Sequence, residues 1–259
     1  MSSDKRFLAL RLEGPLQSWG FGSQYNRRKT GLMPTKSAIA GICCAALGLP
    51  RGSDREHGFL SSFGVVRMTA IAIPRSGVKR DLPVRRLLDY HTVGGGYDPK
   101  EPGERGCITV SAGNGKPRQK GGRSLAFLTY RQYLTDASFG VLLEGASPLL
   151  KQIADALEDP IWGIWLGRKT CIPSTPVFAG LKNNRDNALR LLIGEKPLES
   201  FTRQEEVETF SDGCDSLPDA PVSFATERRL FSPRRVRTLL RSSAVPEPEI
   251  IGDEGHRSK

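Results

Sequence analysis

Apolar and polar residues alternate from Phe7 to Leu12, with Leu8, Leu10 and Leu12 on one face, which predicts a half-buried strand. A polar, glycine-bearing loop follows from Gly14 to Pro34. Thr35-Lys36-Ser37 then offers a helix cap ahead of Ile39, Ile42, Cys43 and Ala46. That i, i+3, i+4, i+7 spacing gives one apolar helical face, ended by Gly48 and Pro50. Val65 to Ile73 is rich in β-branched residues and stops at Pro74, which predicts a second strand.

From Tyr90 to Arg123 the pattern changes to glycines interleaved with Lys and Arg, and a stretch of that length without periodicity reads as a functional or disordered insertion. Strand character returns at Ala137 to Glu144, where Phe139, Val141 and Leu143 share a face. Leu149, Leu150, Ile153, Ala154 and Leu157 form a second amphipathic helix, ended by Asp159-Pro160. The apolar run Ile161 to Leu166 supplies a last strand and leads into Gly167-Arg168-Lys169. This order predicts an α+β fold with a ferredoxin-like βαββαβ core and a hairpin extension between its second and third strands. The core is expected to span 1–174, with the insertion at about 78–125. A β-rich extension is expected over 175–241, and a disordered tail over 242–259.

Charge adds a partner class. The 259 residues carry 38 Lys+Arg against 28 Asp+Glu, a formal net charge of +10. A field of that sign concentrates polyanions, although charge alone fits a merely basic soluble protein equally well. Apolar residues make up 38% of the chain, enough for a packed core. No run approaches the ~18 apolar residues that span a bilayer, and the N-terminus reads as a strand rather than a signal peptide. The cysteine count of 5 is odd and has no C-x-x-C spacing. That argues against a zinc site or a disulfide framework and for a reducing cytoplasm.

Three regions could hold nucleic acid. Gly163 and Gly167, beside Arg168 and Lys169, allow backbone N–H groups to approach an anion closely; a strand-end turn with two solvated cations has the same composition. Gln17, Ser18 and Trp19, followed by Arg27 and Arg28, combine hydrogen-bonding groups, an aromatic plane and cations, as single-stranded RNA requires. Trp19 itself suits a core plug slightly better than base stacking. Lys36 and Ser37 could present a helix N-terminus to a phosphate, or Ser37 could simply cap. Basic residues flanking the insertion, Arg123 among them, suggest a finger laid along nucleic acid rather than a solvated face.

The catalytic inventory is thin. Metal-independent RNA cleavage needs a positioned acid and base, and Tyr90-His91 is the one local candidate. Walker A, G-x-S-x-G, H-E-x-x-H and dinucleotide fingerprints are missing, so no metal or cofactor is expected.

Five blocks in register resemble one family. They are LRLEGPLQSWG (Leu10–Gly20), PTKSAIAGICCAALGLPR (Pro34–Arg51), LLDYHTVGGG (Leu87–Gly96), RQYLTDASFGVLLEG (Arg131–Gly145) and WLGRKTCIPSTPVF (Trp165–Phe178). Weaker echoes lie at Asp219–Phe224 and Arg228–Val236. Together they resemble the 5′-handle-binding RAMP subunit of type I CRISPR Cascade complexes, the fifth CRISPR-associated family, most closely its I-E subtype. The resemblance implies an RRM-type core with a β-hairpin thumb. It implies binding of the crRNA 5′ handle, contacts with the repeated backbone RAMP subunit and the large PAM-recognising subunit, and access to target DNA only through the complex. It places RNA contacts on Gln17, Ser18, Trp19, Lys36 and Ser37, on the thumb from Tyr90 and His91 to Arg123, within the block that opens at Arg131, and on Gly163, Gly167, Arg168 and Lys169. Subtype I-C relatives cleave repeat RNA themselves, which makes a metal-independent endoribonuclease the alternative; the I-E-like blocks imply a non-catalytic subunit. An independent basic RNA-binding module is a third reading.

Overall fold

The computed structural model describes residues 4–20, 26–74, 85–93, 119–120, 123–124, 127–212 and 215–241. Most of the expected insertion and the tail 242–259 lie outside the described residues.

The fold is α+β. Its strands are β1 (Lys5–Gln17), β2 (Arg27–Arg28), β3 (Arg67–Ala72), β4 (Arg86–Val93), β5 (Gln119–Lys120), β6 (Arg123–Ser124), β7 (Phe127–Ala146), β8 (Phe178–Lys182), β9 (Arg203–Glu206), β10 (Asp215–Ser223) and β11 (Leu230–Leu239). Its helices are α1 (Lys36–Ala46), α2 (Asp54–Gly64), α3 (Ser147–Glu158) and α4 (Arg185–Ile193). One large sheet runs in the order β10-β11-β9-β3-β7-β1-β8. The pairings along that path are antiparallel. β4 and β2 join the N-terminal half of β7, β4 antiparallel and β2 parallel.

Strand β1 buries one face from Leu8 to Gly14, while on the face beneath α4 Ala9 is covered, Phe7, Arg11 and Glu13 are half-buried, and Lys5 and Pro15 are exposed. Leu8, Leu10 and Leu12 pack with α1, α2 and α3 through Ile39, Phe63 and Ile153. Ala9 faces the other way, beneath Leu189 and Leu192 of α4. The half-buried strand expected over Phe7 to Leu12 is present, whereas α4 lies in a region expected to hold only strands and loops. Asn184 caps α4 by accepting from Asp186 N–H at 2.7 Å, and Gly194 closes it at φ 65°.

Two further boundaries differ from expectation. Ile161–Leu166 is not a strand; the strand beside β1 is Phe178–Lys182. A division at 174/175 therefore falls ahead of a strand that belongs in the sheet. The C-terminal strands also extend the same sheet, since β9 pairs with β3. Midway along β7, Asp136 adopts φ 52°. There the register with β1 passes from Gly14↔Ala137 to Leu16↔Thr135, and β7 exchanges β3 for β4 as a neighbour.

A buried set of four charges ties the C-terminal strands to the first helix. Lys36 is 1% exposed, and its Nζ donates to both Glu206 oxygens, at 2.7 and 3.1 Å, and to Gly64 O at 3.1 Å. Arg234 donates to both oxygens of Asp219, at 2.6 and 3.0 Å. Asp219 also accepts the Lys36 backbone N–H at 2.9 Å. Burial lowers the Lys36 pKa from its ordinary value, opposed by the attraction of Glu206. An RNA-facing Lys36 is therefore corrected. Its ammonium is held inside, and the opening of α1 already has a carboxylate of the chain itself upon it.

Removing one member strands the others in a dry site. Lys36→Met is expected to cost about 3–5 kcal/mol of unfolding free energy by denaturant titration. Lys5→Ala, which breaks the surface pair with Glu144, should change it by less than about 1 kcal/mol.

Candidate nucleic-acid interface

The end of β1, the first turn of α1 and the segment between α3 and β8 meet around a cleft of about 430 Å³. Their meeting follows from backbone hydrogen bonds. Ile161 and Trp162 N–H donate to Ala46 O and Ala45 O at 3.0 and 3.2 Å, so this run docks on the last carbonyls of α1, where Ala45 O is shared with Gly48 N–H. Further on, Leu166 N–H donates to Cys171 O at 2.7 Å, closing a tight loop, while Leu166 O accepts from Ser18 N–H at 3.0 Å. Gly167 sits at φ 101°, and a Cβ there would lie 1.8 Å from Ser18 O. Glycine is thus demanded by the seat of this loop on β1, whatever binds outside.

Ser18, Ser37, Trp165, Gly167 and Lys169 all line the cleft. Arg51 and Arg229 line it as well. Neither was anticipated, because an isolated cation in a turn carries no periodic signal. Thr35 is the α1 cap, accepting from Ala38 N–H at 3.3 Å, which leaves Ser37 Oγ as a neighbour of the Thr35 hydroxyl. The Lys169 ammonium lies 5.8 Å from the Trp165 ring centroid. Gly163 packs so closely on Trp165 that a Cβ would sit 2.9 Å from the ring.

Gln17 and Trp19 are not at this surface. The Gln17 amide donates to Leu12 O and Ala137 O at 3.0 and 2.7 Å inside the sheet. Trp19 is fully buried edge-on to Phe139, with centroids 6.3 Å apart, so the core-plug reading is the one its position fits. Arg168 is half-buried and directed at the protein: Nη1 donates to Gln132 O at 3.1 Å and Nη2 to Arg28 O at 3.0 Å.

A second exposed surface lies at the paired base of β4 and β7. Tyr90 stands opposite Tyr130, with ring centroids 5.4 Å apart, and the Arg27 guanidinium lies 5.6 Å from the Tyr130 ring. Arg28 is exposed beside it. Arg131 donates through Nε to Thr129 Oγ1 at 3.1 Å. Tyr90 and His91 are consecutive on a strand, so their side chains leave opposite faces and do not converge on one phosphate. The side chain of Arg123 lies outside the described residues.

Among the described residues there is no grouping of His, Cys, Asp or Glu able to hold a metal ion, and no helix long and apolar enough to cross a membrane. Cys43, Cys44 and Cys171 are buried and free. Burial pushes the Cys44 thiol up to about 12 and raises Cys43 and Cys171 as well, which disfavours thiolate chemistry.

The described residues thus present an α+β fold with an aromatic- and cation-lined cleft and a second exposed cationic surface at the β4–β7 pair. The family described as CRISPR-associated protein (Cas_Cas5) matches residues 7–237, and the chain belongs to that family. It is 30% identical over 210 residues to the CRISPR system Cascade subunit CasD of Escherichia coli (strain K12), covering 79% of this chain and 84% of that protein. Among solved structures it resembles a chain of a CRISPR RNA-guided surveillance complex, with a TM-score of 0.66, 30% identity, and coverage of 94% of this chain and 95% of that one. A second likeness is to a crystal structure of a Cas protein, with a TM-score of 0.57, 31% identity, and coverage of 91% and 95%.

The seat of Gly167 makes a direct forecast. Gly167→Ala should destabilise the chain by more than about 1 kcal/mol in thermal or denaturant unfolding, because it adds both steric overlap and a positive-φ penalty. Gly20→Ala lines the same cleft but meets nothing within 4 Å, and should leave unfolding unchanged.

Proposed function

We propose that this chain is a non-catalytic subunit of a type I CRISPR effector complex that holds the repeat-derived 5′ handle of the guide RNA. The observation that carries the reading is the cleft, where Ser18, Ser37, Gly167 and Lys169 converge from three separate segments. Aromatic walls with cations at hand suit a single strand, whose bases stack while its phosphates are neutralised. Family membership and the likeness to a protein named as a Cascade subunit supply the assembly. On this reading the cytoplasm is the site of action, and the backbone and large subunits are neighbours. Target DNA is met only through the complex.

The core is read as ferredoxin-like, and the supporting feature is the antiparallel order β3-β7-β1-β8, with helices after β1 and after β7. Residues about 78–125 are read as its hairpin thumb, rooted on the β4–β7 pair. Tyr90 and Arg27 at that root would meet RNA leaving the cleft. A non-catalytic role is supported by the divergence of Tyr90 and His91, because an acid and a base must reach the same scissile phosphate.

Two measurements test this function. Handle RNA binding should weaken with salt, with a log–log slope of at least about −3, and Lys169→Ala should flatten it by about 0.7. A salt-independent affinity would remove the electrostatic basis of the proposal. Labelled repeat RNA incubated with the purified chain and EDTA should stay intact, for wild type and His91→Ala alike. A clean cut that vanishes in His91→Ala would replace capping by endoribonuclease activity.

A further inference from the structure

The Arg168 guanidinium lies next to the cleft yet is bonded to the protein. One end reaches Gln132 O on β7 and the other Arg28 O on β2, at 3.1 and 3.0 Å. Its Cζ lies 4.7 Å from the ring centroid of Tyr133, a residue only 3% exposed. Gln132 O also accepts from Ser18 Oγ at 3.3 Å, and Ser18 N–H in turn donates to Leu166 O. These bonds close a circuit through the glycine loop, the end of β1 and the hairpin base.

Strand β2 shows what the circuit is for. It is two residues long and parallel to β7, pairing Arg27 with Tyr130 and Arg28 with Arg131. So short a parallel ladder holds little by itself. Apart from the ladder, Asn26 O accepts from Tyr130 N–H at 2.8 Å and Thr30 and Gly31 bond to Trp19 at 2.8 and 2.7 Å, while the side-chain bond on β2 itself is Arg168 on the carbonyl of Arg28. The strand so held carries two exposed cations, one of them above Tyr130.

We infer that Arg168 is a positioning residue rather than an RNA ligand: it clamps the cleft-lining glycine loop to β2 and the hairpin base, fixing the cleft in register with the Arg27–Tyr130–Tyr90 surface. The inference rests on the cleft being the RNA site, and it assigns Arg168 a task that charge alone cannot perform. A planar fork spans two carbonyls on different strands while its Cζ sits over the Tyr133 ring; a lysine ammonium is a point charge and cannot span both carbonyls.

The test has an RNA-free arm and an RNA arm, both on the full chain with Arg168→Ala, Arg168→Lys and Lys169→Ala. In hydrogen exchange without RNA, amides of residues 26–30 and 128–134 should exchange about tenfold faster or more in both Arg168 variants, the effect of losing charged donors to two carbonyls. Lys169→Ala should match wild type there. With handle RNA, Arg168→Ala should lower affinity while leaving the salt slope at its wild-type value, and Arg168→Lys should not restore binding. Lys169→Ala should flatten the slope by about 0.7, as the loss of one phosphate contact requires. The clamp is overturned if Arg168→Lys rescues affinity, if Arg168→Ala flattens the slope as Lys169→Ala does, or if exchange is unchanged. Should Arg168→Ala fail to fold, Arg168→Lys carries both arms. If wild type itself does not bind handle RNA, the proposed function fails, and the exchange arm still decides the clamp.

Discussion

The architecture turns on four charges withdrawn from water. Lys36, Glu206, Asp219 and Arg234 come from the start of α1 and from three C-terminal strands, and the bonds they share form only when those elements are docked. Apolar contacts between α1 and the sheet tolerate small slides; a bidentate Arg–Asp pair with a backbone N–H on the same carboxylate does not. Glu206 also accepts from Met68 N–H at 3.2 Å, so the network reaches β3 in the body of the sheet. The orientation of α1, and hence one wall of the cleft, is set by residues far along the chain. Such a network adds less to net stability than its contacts suggest, because desolvating four ions is costly, and its contribution is to select one arrangement.

The other wall is fixed by backbone rather than by charge. The segment after α3 first docks on the last carbonyls of α1 and then folds back on Ser18 through Leu166. Helix end, strand end and loop are therefore mutually dependent, and the cleft is the space left between them. This explains why glycine at 167 answers to an internal contact, although its place beside two cations suggests an anion cradle.

Sequence patterning revealed the elements whose partners lie on one side. β1, α1, β3, the C-terminal half of β7 and α3 each carry a clear period, and all are present. α2 was missed although Ser53 and Glu56 carry a capping signature, with Glu56 accepting from Gly52 N–H at 3.0 Å. The turn at Gly48–Pro50 looked like the end of the helical region. Ile161–Leu166 misled because an apolar run has the same composition whether it pairs as a strand or plugs the end of a helix. Of the residues singled out in the sequence, Ser18, Ser37, Gly167 and Lys169 line the cleft, whereas their neighbours Gln17, Trp19 and Arg168 do not. The burial of Lys36 was not legible, since its partner Glu206 lies 170 residues away and no local pattern distinguishes a buried lysine from a solvated one.

Strand β7 is a single element of 20 residues, and its two ends do different work. The C-terminal half is the middle of the main sheet, and the N-terminal half pairs with β4 and β2. At ordinary strand rise it extends roughly 65 Å. Mechanically this is a cantilever built into its wall, with no linker between arm and support. A sideways load on the β4–β7 pair is delivered as torque to the centre of the sheet, where Phe139 and Val141 are packed among the helices. The positive-φ residue Asp136 marks where the beam leaves the wall, the point at which bending stress is greatest.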